Sequence, residues 1–261
     1  MKKTYILITL ITAILCFTFC GCSLPRYNNK DKTSKTKVTE MTELTERQKK
    51  VLESEGLPTD IDKLSYQQKS GIIHIEKAFE YLDDKYPGVE FEYYYHRPEA
   101  IMGIEKTDFV PKGYDKNDNR NIVTVVKDRD GTYYDKNGYV LIIVRDTVKK
   151  VITDYLESYF GKDNVKVYVY PLSADMNYGD EINEKTVTDK VASQADIFLS
   201  EEVCSREKLD DFSEKYGNDD HAFVCGFRAT IVNQEDFNSL TFENHDDLYD
   251  RDHMIYDMII N

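Results

Sequence analysis

Asp246, Asp250, His253 and Asp257 step along the chain by four, three and four residues. On a helix that spacing gathers them on one face, and carboxylates with one imidazole are ligands for a divalent cation. Neighbours on a single helix face supply only part of a coordination shell, so a solvated acidic face explains the same spacing. His245 and Asp252 lie off that face. Two further motifs are incomplete. Ser34–Lys37 and Ser205–Lys208 are Ser-x-x-Lys pairs of the kind that serve acyl transfer. No Lys-Thr-Gly follows them, and Ser205 suits a helix N-cap. Asp115, Asn117 and Asn119 begin a calcium-loop pattern, but Arg120 stands where glycine is needed and Val126 where glutamate is needed. There is no G-x-S-x-G, H-E-x-x-H, Walker A, G-x-G-x-x-G or C-x-x-C. A hydrolytic site would have to bring His74, His96, His221, His245 or His253 to acids from separate elements. The sequence therefore implies no cofactor and is read as that of a protein that binds rather than catalyses. Tyr93-Tyr94-Tyr95-His96 offers an aromatic surface; strict alternation puts Tyr93 and Tyr95 on one side and Tyr94 with His96 on the other.

The N-terminus carries the most specific signal. Met1-Lys2-Lys3 is basic, Thr4 to Phe19 is apolar, and Phe19-Cys20-Gly21-Cys22 follows. This is the layout of a secretory signal peptide, too short for a spanning helix. Its end resembles the lipobox of bacterial lipoproteins, with Phe19 at −3, Gly21 at −1 and Cys22 as the modified residue. Phe19 departs from the usual leucine. Cys20 fits worse as the modified residue, since bulky Phe19 would precede the cut. The resemblance implies lipidation of Cys22, cleavage before it, and anchoring on the outer face of the cell membrane. The body resembles the uncharacterised lipoproteins of low-GC Gram-positive bacteria, a likeness that implies no mechanism.

The full chain of 261 residues has 34 Lys+Arg against 48 Asp+Glu, a formal charge of −14. Removal of residues 1–21, with two lysines and no acid, takes this to −16. Residues 22–43 hold five basic and three acidic groups, or +2, which leaves −18 on residues 44–261. An acidic body lacks the basic footprint that nucleic acid requires. It admits cationic ligands and basic peptides, although solubility alone also accounts for the charge. Of five cysteines, Cys204 and Cys225 lie in the body, as a disulfide or as two buried thiols.

The elements that must position these residues follow from periodicity. Residues 1–21 form the signal peptide, 22–43 a polar tether, and 44–261 an acidic globular domain. Thr45-x-x-Gln48 predicts a capped helix ending near Gly56, and Ile72, Ile75, Phe79 and Leu82 predict a second over 66–85. Strands are expected at 89–93, 122–127, 139–144, 165–170, 195–199 and 222–232, with Asp130-Gly131 and Asn137-Gly138 as turns. Helices are expected from Thr147 to about Phe160, over 205–216, about 234–240 and 246–259, with residues 172–194 largely irregular. A weak echo at an offset of 73 relates Ile75, Phe79 and Leu82 to Val148, Ile152 and Tyr155; any amphipathic helix preceding a strand gives the same pattern. Helices and strands mix without strict alternation, which indicates an α+β fold. The expected form is a mixed, largely antiparallel sheet with helices mainly on one face, or two small domains divided near residue 147.

Together these features describe a membrane-anchored extracytoplasmic lipoprotein that binds an envelope protein, a peptide or a small molecule. A metal-assisted hydrolase and a purely structural lipoprotein are the alternatives.

Overall fold

In a computed structural model of the chain, which describes residues 41–98, 104–135, 138–218, 223–249 and 252–260, Thr45 and Ser65 each close a capping box. Thr45 Oγ1 accepts from Gln48 N and Gln48 Oε1 from Thr45 N, at 3.1 and 2.9 Å, which satisfies two otherwise orphaned donors of helix α1 (Glu46–Ser54). Gly56, at φ +67°, turns the chain away after it. Ser65 and Gln68 do the same for α2 (Tyr66–Lys85). The chain divides at Glu43/Leu44 into two units, and nearly all described residues belong to the second.

Two four-stranded sheets follow. The first comprises β1 (Phe91–Arg97), β2 (Glu105–Pro111), β3 (Val123–Lys127) and β4 (Tyr133–Asp135), an antiparallel meander in the order β1-β2-β3-β4. The α1/α2 pair packs beside it, with Phe79 against Phe109 edge-on at 4.6 Å. The second comprises β5 (Val165–Ala174), β6 (Val191–Ser200), β7 (Val224–Val232) and β8 (Met254–Ile260). Here β6 and β7 are parallel and the outer pairs antiparallel. Helix α3 (Tyr139–Phe160) enters this sheet, α4 (Glu184–Lys190) links β5 to β6, and α5 (Arg206–Asn218) makes the parallel crossover. The fold is α+β, with an antiparallel first sheet and a mixed second sheet rather than one continuous sheet.

The two faces of the second sheet differ. Val167, Ala195, Ile197, Phe227 and Ala229 share one face and are buried. Phe160 and Phe212 pack 5.0 Å apart against it with their rings tilted, and Tyr216 meets Phe227 at 4.9 Å. Among the described residues the opposite face is covered at one end only. There Phe237 of α6 (Gln234–Ser239), Leu240 and Leu248 close over Tyr168 and Phe198.

Several expectations are corrected. Residues 139–144 open α3 and form no strand: Val140, Ile142 and Val144 are all buried, and burial around a helix's first turns produces the β-branched run. Strand β2 arises where none was expected. The helix expected over 246–259 is absent: His245–Tyr249 is a 3-10 turn and Met254–Ile260 is a strand. The echoing residues lie in α2 and α3, but the sheets they lead into connect their strands differently. Among the described residues no helix is long and apolar enough to cross a membrane.

Candidate functional site

Tyr86-Pro87-Gly88-Val89 delivers the chain from α2 into β1. Proline at the second position, Gly88 at φ +85° and the Val89 N–H donating to Tyr86 O at 3.1 Å make this a type II turn. The turn sets the start of β1 beside α1, and a cleft of about 530 Å³ lies between them. On the helix side it is lined by Arg47, Lys50, Val51 and Ser54, spaced as one helix face. On the strand side it is lined by the consecutive residues Val89 to Tyr93, with Phe79 and Asp83 of α2 between.

Four of the six charged side chains that line it are paired. Arg47 reaches Asp83 at 2.9 Å and lies 4.6 Å over the Phe79 ring. Lys112 pairs with Glu90. The Tyr93 hydroxyl donates to Glu55 Oε1 at 2.6 Å; burial, and then that carboxylate, hold its pKa far above the usual phenol value. Val89, Glu90 and Lys112 also border a second cleft of about 410 Å³ with Tyr139 and Tyr178. These two rings pack 5.9 Å apart and belong to a cluster with Tyr86 and Phe91. A third recess, about 610 Å³, occupies the uncovered end of the second sheet between Leu172, Gln194, Gly226, Arg228 and Ile259. Apolar floors with paired ions and tyrosine edges hold ligands by burial and hydrogen bonding.

The histidines lie elsewhere. His74 Nε2 is 3.5 Å from Glu105 Oε1, its Nδ1 is 3.1 Å from the Tyr133 hydroxyl, and both His74 and Glu105 are buried. His245 stacks on Tyr168 at 4.6 Å; its Nδ1 is 2.5 Å from Phe242 O and its Nε2 2.8 Å from the Tyr170 hydroxyl. Asp196 lies 3.8 Å from that ring, its carboxyl pushed above the ordinary range by burial. His253 meets Asp236 at 3.0 Å, and His96 meets Thr107. None of them lines the three clefts described above.

Three of the four residues of the candidate metal face, Asp246, His253 and Asp257, lie on no common helix. Asp246 lies in the 3-10 turn and His253 at the entrance to β8. Asp257, within β8, accepts from Thr230 at 2.7 Å and pairs with Arg228 at 3.2 Å. Asp250 lies outside the described residues. Among the described residues no three His, Cys, Asp or Glu gather as a metal site. Cys204 and Cys225 are free and buried. Cys225 pairs with Ser193, whereas Cys204 sits in the turn after Ser200. Seven strand residues separate these levels, about 23 Å at ~3.3 Å per residue, and a disulfide spans about 4–7 Å between Cα atoms.

Asp115 accepts from Asn117 N, and its own carbonyl accepts from Asn121, so the calcium-like loop closes on itself. Ser205 Oγ accepts from Lys208 N as an N-cap, while Lys208 Nζ turns to Val203 O. Alternation fails in β1: the register shifts between Tyr93 and Tyr95, and both Tyr94 and Tyr95 face solvent. Cys22, with its lipobox, and His221 lie outside the described residues. Sequence reasoning missed the α1–β1 cleft, whose linings run from Arg47 to Lys112; the lone signal was Pro87-Gly88 before an alternating strand.

No protein-family model and no curated protein matches the chain. A DUF5037 family protein from Ruminococcus gnavus is similar in structure at a TM-score of 0.33 and 13% identity, over 63% of this chain and 77% of that one.

Proposed function

We propose that the chain is a lipid-anchored binding module on the outer face of the cell membrane, held there through Cys22 and acting by binding rather than catalysis. The α1–β1 cleft carries this reading. Its floor of Val51, Phe79 and Phe91 and its rim of mostly paired charges, with Lys50 and Glu92 outside those pairs, suit an occupant with apolar and charged groups. The lipobox-like Phe19-Cys20-Gly21-Cys22 supports the anchor, and the charge of −18 on residues 44–261 supports a partner that is basic.

Two measurements test it. Mass spectrometry of the N-terminal peptide from a bacterial host is expected to find a diacylglyceryl group on Cys22, with Cys22→Ser releasing the chain from membranes. Thermal unfolding of the full chain in detergent, scanned against peptides, sugars and cell-wall fragments, is expected to show a stabilising ligand whose effect is lost in Val51→Trp. A ligand at 100 times its Kd adds about 2.7 kcal/mol. An unmodified Cys22 overturns the anchor; a stabilising ligand indifferent to Val51→Trp overturns the cleft.

A further inference from the structure

We infer that the outer edge of β1 accepts an extended peptide as a fifth strand of the first sheet, the partner being a segment that alternates basic and apolar residues. The inference deepens the binding reading of the α1–β1 cleft and rests on it.

The strand order leaves β1 at the edge of its sheet. Its register shows which backbone groups point outward. Lys112 N donates to Glu90 O at 2.8 Å, so the Glu90 level is hydrogen-bonded toward β2. Antiparallel levels alternate. The Glu92–Val110 level therefore also bonds inward, and the Phe91–Pro111 and Tyr93–Phe109 levels do not. Pro111, which has no N–H to give, stands at one of these non-bonded levels. The N–H and C=O groups of Phe91 and Tyr93 are thus turned away from β2, toward the side where another strand would lie.

The lining of the cleft agrees. A recess over a sheet face is lined by every second residue of a strand; this one is lined by five in succession, Val89 to Tyr93, and so follows the edge. Helix α1 forms the opposite wall. The register shift between Tyr93 and Tyr95 ends the straight ladder, which limits an added strand to about five residues, or ~16 Å. An edge strand facing a helix across a groove is an arrangement that takes up peptides by strand addition.

Side chains select the occupant. Phe91 and Tyr93 point to the face shared with α1, where neighbours in an added strand would meet apolar surface. Glu90 and Glu92 point to the other face. Glu90 is bridged to Lys112, and Glu92 is exposed without an ion-pair partner among the described residues. Opposite-charge cross-strand pairs stabilise a ladder and like pairs weaken it. A second copy pairing the same edge antiparallel would set Glu90 against Glu92, or slip one residue and drive a glutamate among the aromatics. The edge therefore disfavours its own kind and favours Lys or Arg beside Glu92, in keeping with the acidic body.

The probe is acetyl-Val-Lys-Val-Lys-Val-amide, titrated against the full chain in detergent by fluorescence anisotropy, with amide exchange read at Phe91 and Tyr93. Binding with protection of those two amides is expected. The Glu-for-Lys peptide is expected to bind about tenfold more weakly, and Glu92→Lys, an exposed change, to reverse the preference. Two peptides N-methylated on alternate residues separate backbone pairing from simple burial: one set should abolish binding and the other spare it. Equal loss from both sets, equal affinity for both charges, or protection of Phe91 and Tyr93 by self-association without peptide overturns strand addition. Should the Val-Lys peptide fail while another ligand still loses its effect in Val51→Trp, strand addition falls and the cleft reading stands. If Val51→Trp changes nothing for any ligand, both fall.

Discussion

The Tyr86 hydroxyl donates to Asp135 Oδ2 at 2.5 Å and accepts from the Tyr139 amide at 3.1 Å, so one phenol ties the end of α2 to the last strand of the first sheet and to the start of α3. The Asp135 side chain is wholly out of solvent and also receives Tyr81 at 2.7 Å and Lys85. Removing a hydrogen bond to a buried charged group costs about 1.5–3 kcal/mol. Tyr86→Phe is expected to lose about that, roughly 2–4 °C in Tm per kcal/mol for a chain of this size, by calorimetry. Gly138→Ala should act in the same direction, since a Cβ there would sit 3.0 Å from both Asp135 Oδ2 and the Tyr86 hydroxyl.

The same carboxylate shapes the acid limb. Burial raises the Asp135 pKa, but the bonds from Lys85, Tyr86 and Tyr81 outweigh it and hold it below the ordinary value. A depressed carboxylate adds stability above its unfolded pKa of about 3.9, which is lost as pH falls through the folded value. Urea unfolding of Asp135→Asn is expected to show lower stability at pH 7 and a flatter decline below pH ~4 than the parent.

His96 predicts a second, milder window. Its Nε2 is buried with no hydrogen-bond partner among the described residues, and burial lowers its pKa. The unfolded chain therefore takes up the proton first, and stability falls as pH drops from about 6.5 through the folded value. His96→Gln should flatten the stability profile below about pH 6.5; an unchanged slope there would refute the assignment.

Cys204 and Cys225 should behave as inert thiols. Burial pushes them up to about 11 and about 12 respectively, and thiolate is the reactive form. Peptide-resolved alkylation at pH 8 is expected to leave both unmodified in the folded chain and to label both in denaturant, with no Cys204–Cys225 linked peptide without reductant.

Local signals gave the capped helices, because a capping box is a relation between residues three apart. Thr45–Gln48 is legible for that reason, as is the Asp128–Gly131 hairpin. Tyr139–Val144 misleads because a helix buried around its first turns carries no polar stripe to reveal its period. Asp257 misleads because its spacing to His253 is local, whereas its partners, Arg228 and Thr230, lie 29 and 27 residues away across β7–β8. The bulge after Tyr93 depends on β2, a strand that periodicity did not reveal. The cleft was illegible for the same reason: Val51, Phe79 and Phe91 read separately as core positions, and only the packing of α1 beside an edge strand makes them a floor.

The parallel pairing of β6 with β7 has a consequence for the chain during synthesis. The first sheet is a meander of neighbours and can close as soon as Asp135 has emerged. The second must wait for a crossover through α5, and slow non-local pairing of this kind leaves strands unpaired for longer. Until Met254–Ile260 emerges, β7 is an open edge bearing Phe227, Ala229 and Ile231. A chain stalled short of β8 would be the species that proteases and chaperones meet, so the abundance of this protein should depend on those seven residues far more than their exposed Ile255 and Ile259 suggest.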